Sequence, residues 1–252
     1  MQSYILIATY ISTKVLAILF AAFVSYKAFG LYKKTKKIIP FFLALSFLVI
    51  TIAYSLELIH FESEKLTYIL QQTTEMKKAA KSKAMEILGM LSLLFIMFAF
   101  YKKIMQYKPV KRNAPKIFIN LSTILLIIYS LYSALNYMIS LPDLLEIVFL
   151  SISLATHLIL PVGLIYLGIL AYKASNKNRA YFYLTEAFIM LALGIQLIMY
   201  AVALLISFLA IIKVPMLILT VSTTIIIFSL TCFAYYLTLK AIKIFEKNPS
   251  EI

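Results

Sequence analysis

Apolar residues run along this chain in long stretches, with short polar clusters between them, and no stretch alternates in the manner of a half-buried strand. A helix needs roughly 20 mostly apolar residues to cross a bilayer. Seven segments qualify: 5–31, 38–60, 85–101, 117–140, 144–172, 181–212 and 216–240. The tightest boundaries are Leu141-Pro142-Asp143 and Lys213-Val214-Pro215, where proline disfavours a helical residue before it. The segment between spans two and three, 61–84, opens Phe61-Glu62-Ser63-Glu64-Lys65 and continues as a mixed Gln, Thr and Lys stretch that reads as a helical extension.

Composition agrees with this pattern. The 252 residues are 63% hydrophobic and 13% charged, with a mean hydropathy of +0.96, whereas a soluble domain is roughly half apolar. A soluble enzyme and a disordered tail are excluded. The predicted fold class is therefore an all-α integral membrane protein: one domain over 1–252, multi-pass, in the cell (plasma) membrane, with the lipid bilayer as its first partner. A net charge of +14 would by itself suggest nucleic acid, but the placement of the charge explains it better, and no nucleic-acid partner is expected.

Lys and Arg gather on the cytoplasmic side of membrane proteins. With the N-terminus outside, the inner segments hold Lys27, Lys33, Lys34, Lys36, Lys37, Lys102, Lys103, Lys108, Lys111, Arg112, Lys116, Lys173, Lys177, Arg179, Lys240, Lys243 and Lys247, which is 17 of the 24 basic residues. That predicts N-out, C-in. Met1-Gln2-Ser3-Tyr4 lacks the basic region of a cleavable signal, so the first span is expected to stay in the protein. No kinase, cyclase or nucleotide-binding module is expected after span seven, and any output is expected to pass to a separate protein.

Ionisable residues inside a span are costly and are functional candidates by default. Counted from the inner helix ends at ~1.5 Å per residue, Lys14, Glu57, Glu86, Asn136, His157 and Gln196 lie ~18–28 Å up, in the outer half of the core. They suggest a polar layer in which Lys14 faces Glu57 or Glu86 as an ion pair; the alternative is that the outermost carboxylates mark the water interface and Lys14 snorkels. Pro161 cannot supply the amide that would bond the carbonyl of His157, which predicts a hinge in span five. Gly163 and Gly168 would let a neighbouring helix come close there. Beside such a hinge, His157 is also a candidate pH sensor.

The cofactor chemistry expected here is none. His60 and His157 differ in depth by ~10 Å and cannot both ligate one haem; no zinc-protease or serine-hydrolase motif is present, and span seven has no central Lys for retinal. The single Cys, Cys232, has no partner for a disulfide or metal site. No enzymatic activity is expected.

Part of the pattern repeats. Tyr26-Lys27-Ala28 matches Tyr172-Lys173-Ala174 at an offset of 146, and Phe42, Leu45, Ile52, Tyr54 and Leu58 then meet Phe188, Leu191, Ile198, Tyr200 and Leu204. Phe98-Ala99-Phe100-Tyr101 also rhymes with Phe233-Ala234-Tyr235-Tyr236. These rhymes suggest an internal duplication of three helices, 1–104 and 144–243, joined by helix 117–140.

The stretch Tyr26-Lys27-Ala28-Phe29-Gly30-Leu31-Tyr32-Lys33-Lys34-Thr35-Lys36-Lys37, followed by a long apolar helix ending Leu56-Glu57-Leu58, resembles the loop between spans in seven-helix sensor domains of prokaryotic, especially archaeal, signalling proteins. The resemblance implies a non-catalytic, sensor-like protein or the membrane subunit of a larger assembly. Such a protein would couple the outer polar layer to a cytoplasmic or membrane protein partner at the basic inner face. The three-one-three layout also resembles small sugar-transporter folds, although their Pro-Gln loop motif is absent. The alternative is accordingly a small-solute transporter whose site is the same six polar residues.

Overall fold

In lipid a helix satisfies its own backbone hydrogen bonds, so long apolar runs become helices. A computed structural model of the chain describes residues 2–69, 74–106, 113–138, 143–192 and 216–252. Side chains are described within these ranges except at 2–7, 57, 60–69, 74–86, 136–138, 143–147, 216–225 and a few single positions. Among the described residues there are seven α-helices: α1 (Gln2–Thr35), α2 (Ile38–Ile69), α3 (Thr74–Gln106), α4 (Asn113–Met138), α5 (Asp143–Ala174), α6 (Arg179–Ala192) and α7 (Met216–Lys247). A short 3-10 turn, Pro249–Glu251, follows.

Six of these helices are long and apolar enough to cross a membrane, over Ile11–Thr35, Ile38–Leu56, Ile87–Gln106, Asn113–Leu135, Ser151–Ala174 and Phe228–Lys247. The chain is a multi-pass membrane helical bundle. The sixth sequence segment, 181–212, starts within α6 and continues past Ala192, outside the described residues. The segment 61–84 extends its neighbouring helices, because α2 runs to Ile69 and α3 starts at Thr74. With 32 residues, α2 is ~48 Å long, well beyond a hydrocarbon core of ~30 Å. Part of it therefore reaches beyond the hydrocarbon core.

The helices close into a ring. α1 packs on α2, α2 on α3, α3 on α5, α5 on α6, α6 on α7, and α7 returns to α1. α4 stays outside this ring, seated on α3 and α5. Its exposed residues Ile117, Leu121, Ile124, Ile128, Leu131 and Leu135 recur every three or four positions along one face. Such a stripe in water would be a liability, and in a bilayer it is the lipid face.

Lipid tails are as apolar as leucine, so helices in a membrane hold together through close packing and interhelical polar bonds. Both devices line the ring. Ser25 Oγ donates to the Ala44 carbonyl across α1 and α2 at 2.9 Å, and Ser46 Oγ donates to the Ser92 carbonyl across α2 and α3 at 2.9 Å. At Gly168 on α5 a Cβ would come within 2.6 Å of Thr185 on α6. Phe47 of α2 fills the middle, with ring centroids 5.6 Å from Phe188 of α6 and 5.6 Å from Tyr235 of α7. All three side chains are fully buried.

The α1–α2 and α5–α6 connections use left-handed residues that are not glycine, Lys36 (φ 56°) in the first and Asn176 (φ 53°) and Lys177 (φ 62°) in the second. The amide of Lys36 bonds the Tyr32 carbonyl and that of Lys177 the Tyr172 carbonyl, which pairs helix-end carbonyls that would otherwise be orphaned. Asn178 then caps α6, its Oδ1 accepting from the Ala180 amide at 2.8 Å.

Candidate functional site

Two of the six polar candidates have described side chains, and each sits against a tyrosine on a neighbouring helix. Lys14 is half-buried on α1, three residues into the membrane-length segment Ile11–Thr35. Its ammonium lies 4.9 Å from the ring centroid of Tyr54 on α2. A cation over an aromatic face gains ~0.5–2 kcal/mol. Three residues from the end of its segment, Lys14 can also reach the interface along its flexible stem.

His157 is 6% exposed on α5. Its ring meets the fully buried Tyr129 of α4 edge to face, at 5.9 Å and 88°. Its Nδ1 is 2.7 Å from the Ser153 carbonyl, one turn back. A carbonyl only accepts, so Nδ1 carries the proton and the imidazole orientation is set by its own helix. Thr156 Oγ1 donates to the Ile152 carbonyl at 2.7 Å, so two adjacent side chains bond back onto the same turn.

Pro161 follows one turn later, buried inside a helix that stays α-helical through it. It has no amide for the His157 carbonyl. Beyond it the two glycines act as the sequence suggests. A Cβ at Gly163 would lie 2.8 Å from Met97 Cε on α3 and 3.4 Å from Phe118 on α4, and Gly168 touches Thr185. α5 thus meets α3, α4 and α6 within a few turns of its polar segment.

The structure places Lys14 on the α1–α2 seam and His157 on the α4–α5 seam. The side chains of Glu57, Glu86 and Asn136 lie outside the described residues, as does Gln196 entirely. Tyr54 and Tyr129, the partners of Lys14 and His157, were not singled out from sequence. Helical spacing held a signal for both: Tyr54 is one turn before Glu57, and Tyr129 is two turns before Asn136. Among the described residues no group of three His, Cys, Asp or Glu is placed to hold a metal ion.

Compared with family models, curated proteins and solved structures, the chain matches none of them. Residue geometry alone carries the functional reading.

Proposed function

We propose that this chain is a non-catalytic protein of the plasma membrane, oriented N-out and C-in, that relays a change at the outer polar layer to a protein partner at its basic inner face. It is sensor-like, or the membrane subunit of a larger assembly. The observation that carries this reading is the construction of α5: a buried polar turn at Ser153, Thr156 and His157, Pro161 with no amide to donate, and close contacts to three helices beyond it. An element that joins a titratable group to a weakened turn and then to its neighbours is suited to transmit a change. Carriers commonly break helices near mid-membrane, whereas α5 runs unbroken through Pro161.

We also propose that the bundle arose by duplication, with α1–α3 repeated as α5–α7 and α4 as the link. Exchanging α1 with α5, α2 with α6 and α3 with α7 leaves the ring of contacts unchanged. The buried positions Ala17, Ala21, Val24, Ala28 and Leu31 of α1 pair with Leu160, Leu164, Leu167, Ala171 and Ala174 of α5, each 143 residues later and each buried. Across the second helices the separation is 141, which joins Lys36 to Lys177, Leu43 to Leu184 and Phe47 to Phe188. This register accounts for the turns and the burial better than the 146 read from sequence. Phe47 and Phe188 then touch each other, as equivalent residues do on a two-fold axis. At a separation of 143, Lys14 and His157 are equivalents too, so each half carries one polar side chain at the same level.

That symmetry favours a second reading, a carrier, since parallel repeats about an axis along the membrane normal occur in transporters. One experiment separates the two. The full chain, cross-linked in its native membrane and then purified, is expected to carry one protein in fixed ratio joined to lysines of the basic end, and to move no solute in vesicles. Saturable uptake by the chain alone, lost in Lys14→Met and His157→Leu, would establish the carrier instead.

A further inference from the structure

At the end of the bundle where α6 starts and α7 stops, a groove of about 430 Å³ lies between the two antiparallel helices. Its lining includes Arg179 and Tyr183 from α6, and Lys240, Lys243 and Lys247 from α7. Lys240, Lys243 and Lys247 follow the i, i+3, i+7 spacing of a single helix face, and Arg179 with Tyr183 follows i, i+4. Four basic residues from two helices therefore line one volume, which is the size of a small-ligand pocket.

Two ordinary explanations cover only part of this. Lysines in the last turns of α7 suit the negative end of its dipole, and the inside bias of basic residues accounts for their side of the membrane. The dipole does not explain Arg179, which opens α6 at the positive end of that helix and lines the same groove as the three lysines. Basic side chains that share one groove repel one another unless something negative lies between them. Glu186 and Glu246, the described carboxylates of α6 and α7, are outside the lining, and none of the four cations is ion-paired with a described carboxylate.

One end of the groove is built for the membrane interface. The Lys240 ammonium is held between two tyrosines, 5.0 Å from the Tyr183 ring centroid and 5.3 Å from that of Tyr236. Tyr236 is itself exposed, and tyrosine rings favour headgroup depth. The charged mouth thus grades into an aromatic and aliphatic wall that includes Ile244.

We infer that this groove is a binding site for a phosphate-type anion, with Arg179 as the planar donor to its oxygens and Lys240, Lys243 and Lys247 as point charges around it. An anionic phospholipid headgroup and a soluble phosphate ester share this chemistry. The inference does not depend on the relay reading or on which side of the membrane the groove faces.

The test uses the full chain in mild detergent, with circular dichroism to show that each variant is folded. Native mass spectrometry would read retention of phosphatidylglycerol against phosphatidylcholine, and melting with and without inorganic phosphate would read the soluble anion. Arg179→Gln/Lys243→Gln is compared with Lys33→Gln/Lys34→Gln, which removes the same charge from another loop. If the lipid is the ligand, phosphatidylglycerol is retained selectively, and its affinity falls roughly 10- to 30-fold in the first double variant but not in the second. If the source is soluble, phosphate raises the melting temperature without lipid selectivity, and only the first double variant loses that shift. Equal losses in the two doubles, or no response to either probe, would overturn the site.

Discussion

At the scale of single residues, the tightest contacts decide what the bundle tolerates. Thr185 is β-branched and its hydroxyl is engaged with the Tyr181 carbonyl at 2.7 Å, so it cannot move away from a Cβ at Gly168. Met97, the neighbour of Gly163, meets it only with the far end of a flexible chain. Gly168→Ala is therefore expected to cost ~1–3 kcal/mol by overpacking, and Gly163→Ala less, measured by melting in detergent; the reverse order would contradict this packing. Lys14 and Tyr54 are expected to show a coupling of ~0.5–2 kcal/mol in a double-mutant cycle of Lys14→Met and Tyr54→Leu. Additive effects would remove the cation–ring contact from the account. Lys14 and His157 were legible in the sequence because intramembrane charge is rare. Tyr54 and Tyr129 were not, since a tyrosine in an apolar run looks the same whether it faces a partner or lipid.

At the scale of elements, hydropathy located the helices well and their ends poorly. The Leu141-Pro142-Asp143 breaker meets the described start of α5 at Asp143, because proline chemistry is local. The reach of α2 and α3 beyond their apolar segments was harder to place, since polar residues in a helical extension and in a loop have similar composition. Helix contacts and register are set by faces, and an apolar run around all sides of a helix hides which face packs. The proposed repeat illustrates this: identities suggest an offset of 146, while left-handed lysines and buried faces suit 141 and 143. Pro161→Ala gives α5 back an amide for the His157 carbonyl. It is expected to raise stability by up to ~3 kcal/mol while impairing any relay through α5. An unchanged melting temperature would mean that other contacts already make up for the missing bond.

At the scale of the whole molecule, the claim at stake is that the ring serves as a relay and is no route for solutes. Phe47, Phe188 and Tyr235 close its centre among the described residues, yet a carrier resting in one state is closed on one side as well. What separates the two is whether water ever reaches the axis from each side. Cys232 is the single cysteine, so Cys232→Ser provides a background in which one introduced thiol reports alone. Phe188→Cys and Ala234→Cys, both at fully buried positions, place that thiol in the bundle interior. The measurement is labelling by a membrane-impermeant maleimide applied to each side of native membranes in turn. The relay predicts no labelling of either thiol from either side, and full labelling after denaturation. Labelling of Phe188→Cys in the intact membrane would mean that water enters the ring, and would contradict the account in favour of a carrier.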